Sequence, residues 1–225
     1  ILHSCVASWW QAVRTGPLPD DFPWRTALVA DGLRRSTLVV TPSAAFGETV
    51  RALYGVRPIT VHNGRTISVP AAAMQDHVFT AGRLWDEGKN LRTLDEAAQH
   101  IGAPFKAAGP LRAPHGEAIG LRHIHALGSL DGDALARQLA SRPVFASAAL
   151  YEPFGLAVLE AASAGCALVL SDIPTFRELW DGAALFVDPR DAQGFARAIE
   201  DRIADLPDRI DAGRRAAARA LVPHA

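Results

Sequence analysis

From about Val78 onward the chain alternates short apolar runs of strand length with longer amphipathic stretches, and that alternation predicts the fold class. The runs are HVFTAG (77–82), PFKAAG (104–109), HIHALG (123–128), PVFASA (143–148), CALVLSD (166–172) and ALFVD (184–188). Between them the pattern predicts helices over 90–101, 132–141, 154–164, 174–180 and 191–204. Apolar and polar positions barely alternate within the runs, as burial on both faces of a parallel sheet requires. Strands and helices in this order predict an open, doubly wound α/β domain. Asn90, Asp131 and Asp188 with Pro189 stand where helix N-caps are expected, and Gly165 stands at a helix C-terminus.

Residues 1–70 read differently. A strand over ILHSCVAS, two or three helices carrying Trp9, Trp10 and Trp24, a strand STLVVTPS, a helix AAFGETVRALYG and a strand ITVHNG make a partial second α/β unit. The tryptophans are read most simply as core aromatics, with a lipid-facing or acceptor-facing patch as the alternative. Residues 65–76 have no period and include Pro70, so the linker is placed here, as residues 71–76 between units 1–70 and 77–225. The chain opens on Ile1 inside what reads as a strand, so the first unit is expected to be incomplete. The helical stretch AGRRAAARALVPHA simply stops, which leaves room for a further segment after it.

Composition narrows the partners. Hydrophobic residues make up 49% of 225, ample for a buried core. Lysine plus arginine (23) nearly balances aspartate plus glutamate (24), so no global field draws the chain to nucleic acid or an anionic membrane. A charged ligand must therefore be held locally. Cys5 and Cys166 lie far apart and read as reduced, buried thiols of a cytosolic protein. No run approaches the roughly 20 apolar residues that span a bilayer, and no basic-then-apolar leader is present, so a cytoplasmic location is expected.

The most informative segment is YEPFGLAVLEAASAG (151–165), directly after PVFASA. In an open α/β sheet, ligands sit outside the carboxyl ends of the strands, and Glu152 occupies such a loop. The helix that follows is apolar nearly all round, and Glu160 is its only charge. Burying a lone carboxylate costs several kcal/mol unless a partner accepts it. Gly155 keeps the first-turn amides approachable, and those amides with the helix dipole favour a phosphate. A diphosphate joining a ribose to a sugar fits between the two glutamates. The plainer alternative pairs Glu160 with an internal arginine and leaves Glu152 an exposed loop acid. In HVFTAGRLWDEGKNL (77–91) the first strand leads into a loop that opens on the same edge and carries Arg83 and Lys89. A planar fork and a mobile point charge suit a diphosphate as it gains charge, although a lone lysine is more often simply solvated.

GRLWDEGKN followed by YEPFGLAVLEAASAGCALVLSD resembles the donor-binding domain of glycosyltransferase family 4. TPSAAFGETVRALYG, VHNGR and ELWDGAALFVD are similar to further stretches of that family. The resemblance implies the GT-B architecture, two Rossmann-like domains of which the first is incomplete here and the second is a doubly wound parallel sheet. It implies transfer of a sugar from a nucleotide-diphosphate sugar with retention of configuration, with no metal and no cofactor beyond the donor. It puts Arg83 and Lys89 on the donor diphosphate and Glu152 on hydroxyls of the transferred sugar. Phe154, Gly155 and Leu156 fall beside the sugar and phosphate, and Glu160 on the ribose. His3 matches the histidine that the other domain presents to the donor sugar; its plain alternative is a polar residue at a strand end. The catalytic set is thus His3, Arg83, Lys89 and Glu152. The acceptor is a carbohydrate, lipid or small molecule, nucleic acid is no partner, and any peripheral membrane contact would run through the missing domain alone. Oligomeric state stays open. One departure is NGRT, which puts Arg65 and Thr66 where the family commonly has an aliphatic residue and then aspartate.

Other signals are weaker. Asp131-Gly132-Asp133 has the spelling of a metal site in a different fold but precedes a helix, so capping explains it better. His115, His123 and His125 lack a zinc-ligand spacing, and no G-x-G-x-x-G follows a strand. Two rival readings remain: a nucleotide-sugar epimerase of the same architecture, and a non-catalytic nucleotide-sugar-binding module or inactive fragment.

Overall fold

A computed structural model describes residues 1–221; residues 222–225, the end of the last predicted unit, lie outside it. The six apolar runs form one parallel sheet: β3 (Val78–Ala81), β4 (Phe105–Ala108), β5 (His125–Ala126), β6 (Val144–Ser147), β7 (Leu168–Ser171) and β8 (Ala184–Val187). Their spatial order is β5-β4-β3-β6-β7-β8. The helices between them are α4 (Leu91–Ala98), α5 (Gly132–Ala140), α6 (Leu156–Ser163), α7 (Pro174–Trp180), α8 (Ala192–Ala204) and α9 (Leu206–Leu221).

Successive strand residues point to opposite faces, and both faces are covered. Phe79, Phe145, Leu168 and Leu170 pack with Val158 of α6, Phe176 and Trp180 of α7 and Ala216 of α9. Val78, Val144 and Val169 pack on the other side with Leu94 of α4 and Phe195 and Ile199 of α8. Two-sided burial is why the runs lack alternation.

The N-terminal part forms α1 (Val6–Val13), α2 (Pro23–Arg35), β1 (Val40–Thr41), α3 (Ala44–Tyr54) and β2 (Ile59–Thr60), with β1 and β2 parallel. Three expectations need correction here. Residues 1–5 are not a strand running on to Ser8; Cys5 caps α1 by accepting from the Ser8 amide, and Leu2 donates to the Val40 carbonyl at 2.8 Å. The tryptophans are not core: Trp24 is 57% exposed, while Trp9 and Trp10 are half-buried. Cys5 is only half-buried, whereas Cys166 is fully buried; both are free thiols.

The caps divide similarly. Asp131 accepts from the Ala134 amide at 2.7 Å, and Gly165 takes the left-handed conformation after α6. Asn90 lies at φ 51° and makes no side-chain cap. The cap of α8 is Asp191, which accepts from Gly194, rather than Asp188. A sequence shows several acids near a helix start but not which one the turn aims inward. Residues 61–76 contain no regular secondary structure.

His77, 3% exposed, enters β3 at the edge of the sheet opposite its carboxyl end. Burial, then the nearby Lys106 and Arg209, pull its pKa from 6.5 down to about 4, against the opposing pull of the Gln75 backbone and Asp76. Native His77 stays neutral while the unfolded chain protonates, so its contribution is present above pH 6.5 and is lost as pH falls toward 4. Urea unfolding of wild type and His77→Gln at pH 7.5 and pH 5 should show wild type losing on the order of 1–2 kcal/mol more than the variant. Parallel losses in both would rule out this source.

Candidate active site

The strand order places β3 between β4 and β6, so the chain leaves β3 toward one edge of the sheet and leaves β6 toward the other. The loops after these two strands diverge, and a crevice opens at their carboxyl ends. The β3 loop carries Arg83 and Lys89, and the β6 loop carries Glu152. A cavity of about 420 Å³ lies here, lined by His3, Arg83, Lys89, Glu152, Phe154, Gly155 and Leu156 together with Ser4, Pro42, Asn63, Gly82 and Tyr151 among others. That is within the range of small-molecule sites.

Each loop is fixed by its own contacts. After β3, a 3-10 turn (Glu87–Lys89) is capped by Asp86, which accepts from the Gly88 amide at 2.9 Å. Trp9 of α1 donates its indole N–H to the same carboxylate at 3.0 Å, and a Cβ on Gly88 would meet that indole nitrogen at 2.8 Å. Glycine is needed for the approach. The Gly88 carbonyl accepts from the amides of Leu150 and Tyr151, which sews the two loops together. The Asn90 side chain then donates to the carbonyls of Ala148 (2.9 Å) and Pro189 (2.6 Å). Its left-handed backbone, tolerable in asparagine, turns the side chain from its expected capping role to this bridging one.

The second loop turns into α6 through Gly155 at φ 94°, which supplies no side-chain cap. The first amides of α6 are left to another acceptor. A side chain at Gly155 would be strained by its φ and would meet the Phe176 ring at 3.1 Å.

The charges of the site compensate one another. Lys89 donates to Glu152 across the cavity, so this lysine is not a solvated surface group. Arg83 donates from Nε (3.2 Å) and Nη2 (2.8 Å) to one oxygen of Asp86, keeping a largely exposed guanidinium edge toward the cavity. Burial raises the Asp86 pKa, but the hydrogen bonds from Trp9, Arg83 and Gly88 outweigh it and hold the carboxyl below its usual value. It therefore stays ionised. Tyr151, whose hydroxyl lies 2.7 Å from that of Ser8, is pushed up to about 12, mainly by burial, and stays protonated.

Glu160 stands apart. It is absent from the cavity wall but lies one turn beyond Leu156, on the same face of α6. It is 7% exposed, and its oxygen Oε1 lies 2.7 Å from Nε of Arg65. Burial raises its pKa while Arg65 acts in the opposite direction. The internal arginine of the plainer alternative is thus present, and it comes from the irregular segment after β2.

Residues 75–205, more than half of the chain, match the family model described as glycosyl transferases group 1. The chain belongs to that family. Over 59 residues it is 39% identical to the O-antigen chain mannosyltransferase RfbU of Salmonella typhimurium, a stretch covering 26% of this chain and 16% of that protein. Its fold matches a sucrose-phosphate synthase from Thermosynechococcus elongatus at a TM-score of 0.80 and 20% identity, covering 97% of this chain and 61% of that one. It also matches Anabaena HepE solved with UDP and glucose (TM-score 0.74, 18% identity, 88% of this chain and 62% of that one). WaaG, a glycosyltransferase involved in lipopolysaccharide biosynthesis, gives a TM-score of 0.74 at 15% identity over 96% of this chain and 68% of that one. The chain thus spans about 61% of the synthase and a small part of the mannosyltransferase. The architecture is that of the GT-B glycosyltransferases, and the six-stranded sheet is its Rossmann-like domain.

In this group 1 chain the cavity residues missed in sequence come from the other unit or from flanks of the motifs. Pro42 follows β1, Asn63 lies in the VHNG stretch, and Gly82 and Tyr151 adjoin the named residues. The rule that ligands gather at strand carboxyl ends, applied to β1 as well, would have found Pro42. Asn90→Ala leaves two inward carbonyls without their donor and puts alanine at a positive φ, so it should lower stability by about 2–4 kcal/mol in urea unfolding. A loss below about 0.5 kcal/mol would show that the bridge is not structural.

Proposed function

We propose that the chain is the donor-binding part of a retaining glycosyltransferase of family 4, in which residues 1–70 are the remainder of the acceptor-side domain. The cavity takes the diphosphate and sugar of a nucleotide-diphosphate sugar, and the ribose reaches Glu160. The observation that carries this reading is the Lys89–Glu152 pair at the switch point of the sheet, beside the uncapped start of α6. Without a donor the pair neutralises itself. A donor separates its functions: Lys89 turns to the diphosphate, and Glu152 accepts from hydroxyls of the sugar.

The chemistry follows from charge. As the bond between sugar and diphosphate breaks, negative charge grows on the leaving group. Lys89, the open edge of Arg83 and the free amides of α6 are already in place to meet it. Such preorganised donors need no rearrangement at the moment of reaction. His3, exposed at the rim, is positioned to meet the sugar from the N-terminal side. The family membership supports sugar transfer, and the similarity to HepE, solved with UDP and glucose, makes UDP the first nucleotide to try.

Calorimetric titration with UDP, GDP and ADP and their sugar conjugates tests the site. One nucleotide should bind, and Lys89→Ala and Glu160→Ala should each weaken it roughly 10- to 100-fold, the range for a hydrogen bond to a charged group. Equal affinity in both variants would place the donor elsewhere. Product analysis of the bound sugar conjugate with no acceptor present separates transfer from epimerisation, since only an epimerase changes the sugar unaided.

A further inference from the structure

Arg65 is not part of the cavity wall, yet it holds the one buried carboxylate of α6. Its side chain is 48% exposed and that of Glu160 only 9%, so Arg65 reaches Glu160 from the solvent side and covers it. The closest approach is from Nε, 2.7 Å from Oε1. The segment that carries Arg65 is held by side chains, with His62 3.3 Å from Glu178 and Ile67 packed on the core, rather than by its backbone. Between the bond from the Val61 amide to Thr41 and that from the Gln75 amide to Ser141, no backbone hydrogen bond involves residues 62–74 among the described residues. The Arg65 end of the pair is half exposed, so water can take over the guanidinium when another partner takes the carboxylate.

We propose that Arg65 is a displaceable counter-ion for Glu160: it occupies the carboxylate while no donor is bound and gives way to the ribose hydroxyls when a nucleotide binds. This rests on the proposed function, which puts the ribose on Glu160. Two consequences follow from the exchange. Glu160 is never left as a bare buried charge, since one partner replaces another. The nucleotide must compete with Arg65, so Arg65 sets affinity through the ribose alone and leaves the diphosphate contacts untouched.

The sign of the mutational effect separates this role from direct donor contact. Titration at pH 8 uses whichever of UDP, GDP and ADP binds most tightly, together with its 2′,3′-dideoxy form. Arg65→Met removes the competitor and should tighten binding of the ribonucleotide about two- to fivefold, the size of a half-exposed ion pair. Arg65→Lys should lie between the two. The gain should vanish for the dideoxy nucleotide and in a Glu160→Ala background. Weaker or unchanged binding in Arg65→Met, with Glu160→Ala still weakening, overturns the counter-ion role and leaves the donor site standing. An equal gain for the dideoxy nucleotide overturns it too. If no nucleotide binds, or Glu160→Ala has no effect, both readings fall together.

Discussion

The crevice between β3 and β6 is a consequence of connectivity. A parallel sheet wound outward in both directions has one place where neighbouring strands send their chains apart, and nothing can fill the gap between the departing loops. Arg83, Lys89 and Glu152 are arranged around that gap. The two loops are drawn together at Gly88, whose carbonyl takes both the Leu150 and Tyr151 amides. With that point fixed, Lys89 and Glu152 have little freedom but to meet across the opening.

The same loops bind the two units to each other. Tyr151 packs edge-on against Phe46 and joins the small core of Phe46, Val50 and Tyr54, so the loop after β6 is built into the N-terminal unit. Glu178 of α7 accepts from the Ala44 and Ala45 amides at 2.8 and 2.7 Å, capping α3 from across the interface, and Ser43 donates to the Pro153 carbonyl at 2.7 Å. A carboxylate at a helix N-terminus gains from the dipole as well as from the hydrogen bonds. These contacts are polar and directional, with a modest apolar core. They set the angle between units while leaving less to lose on separation than a large hydrophobic interface would.

Much of this was legible in the sequence, for identifiable reasons. The six strands were visible because two-sided burial makes Val78, Phe79, Val144 and Phe145 apolar without exception, and α7 was visible to the residue because Pro174 opens it. The cavity residues Arg83, Lys89 and Glu152 were visible because loop position follows from strand position. What stayed hidden depends on direction. The fragment ILHSC is as apolar as a strand, but only tertiary contact shows that it runs beside Val40 and ends at a cap. Trp9 looked like core because tryptophan is large, although its N–H is spent on Asp86. Asn90 has the composition of a cap and the backbone of a bridge. Arg65, unusual against the family resemblance in sequence, had no assigned partner until the segment after β2 was seen to pass over α6.

Glu160 shows why such partners matter. An apolar helix buried against sheet and α9 gains nothing in stability from a carboxylate, and an apolar residue of similar volume at this position would remove both the desolvation cost and the need for Arg65. The carboxylate therefore has to be explained by something outside the folded core. Its place one turn beyond Leu156, which lines the cavity, is what the proposed donor site accounts for. Arg65 meets the charge from a half-exposed side chain on an irregular segment. Under the proposed function a hydroxyl-bearing ligand takes over this carboxylate, so part of the binding energy comes from a charge that the fold itself does not need.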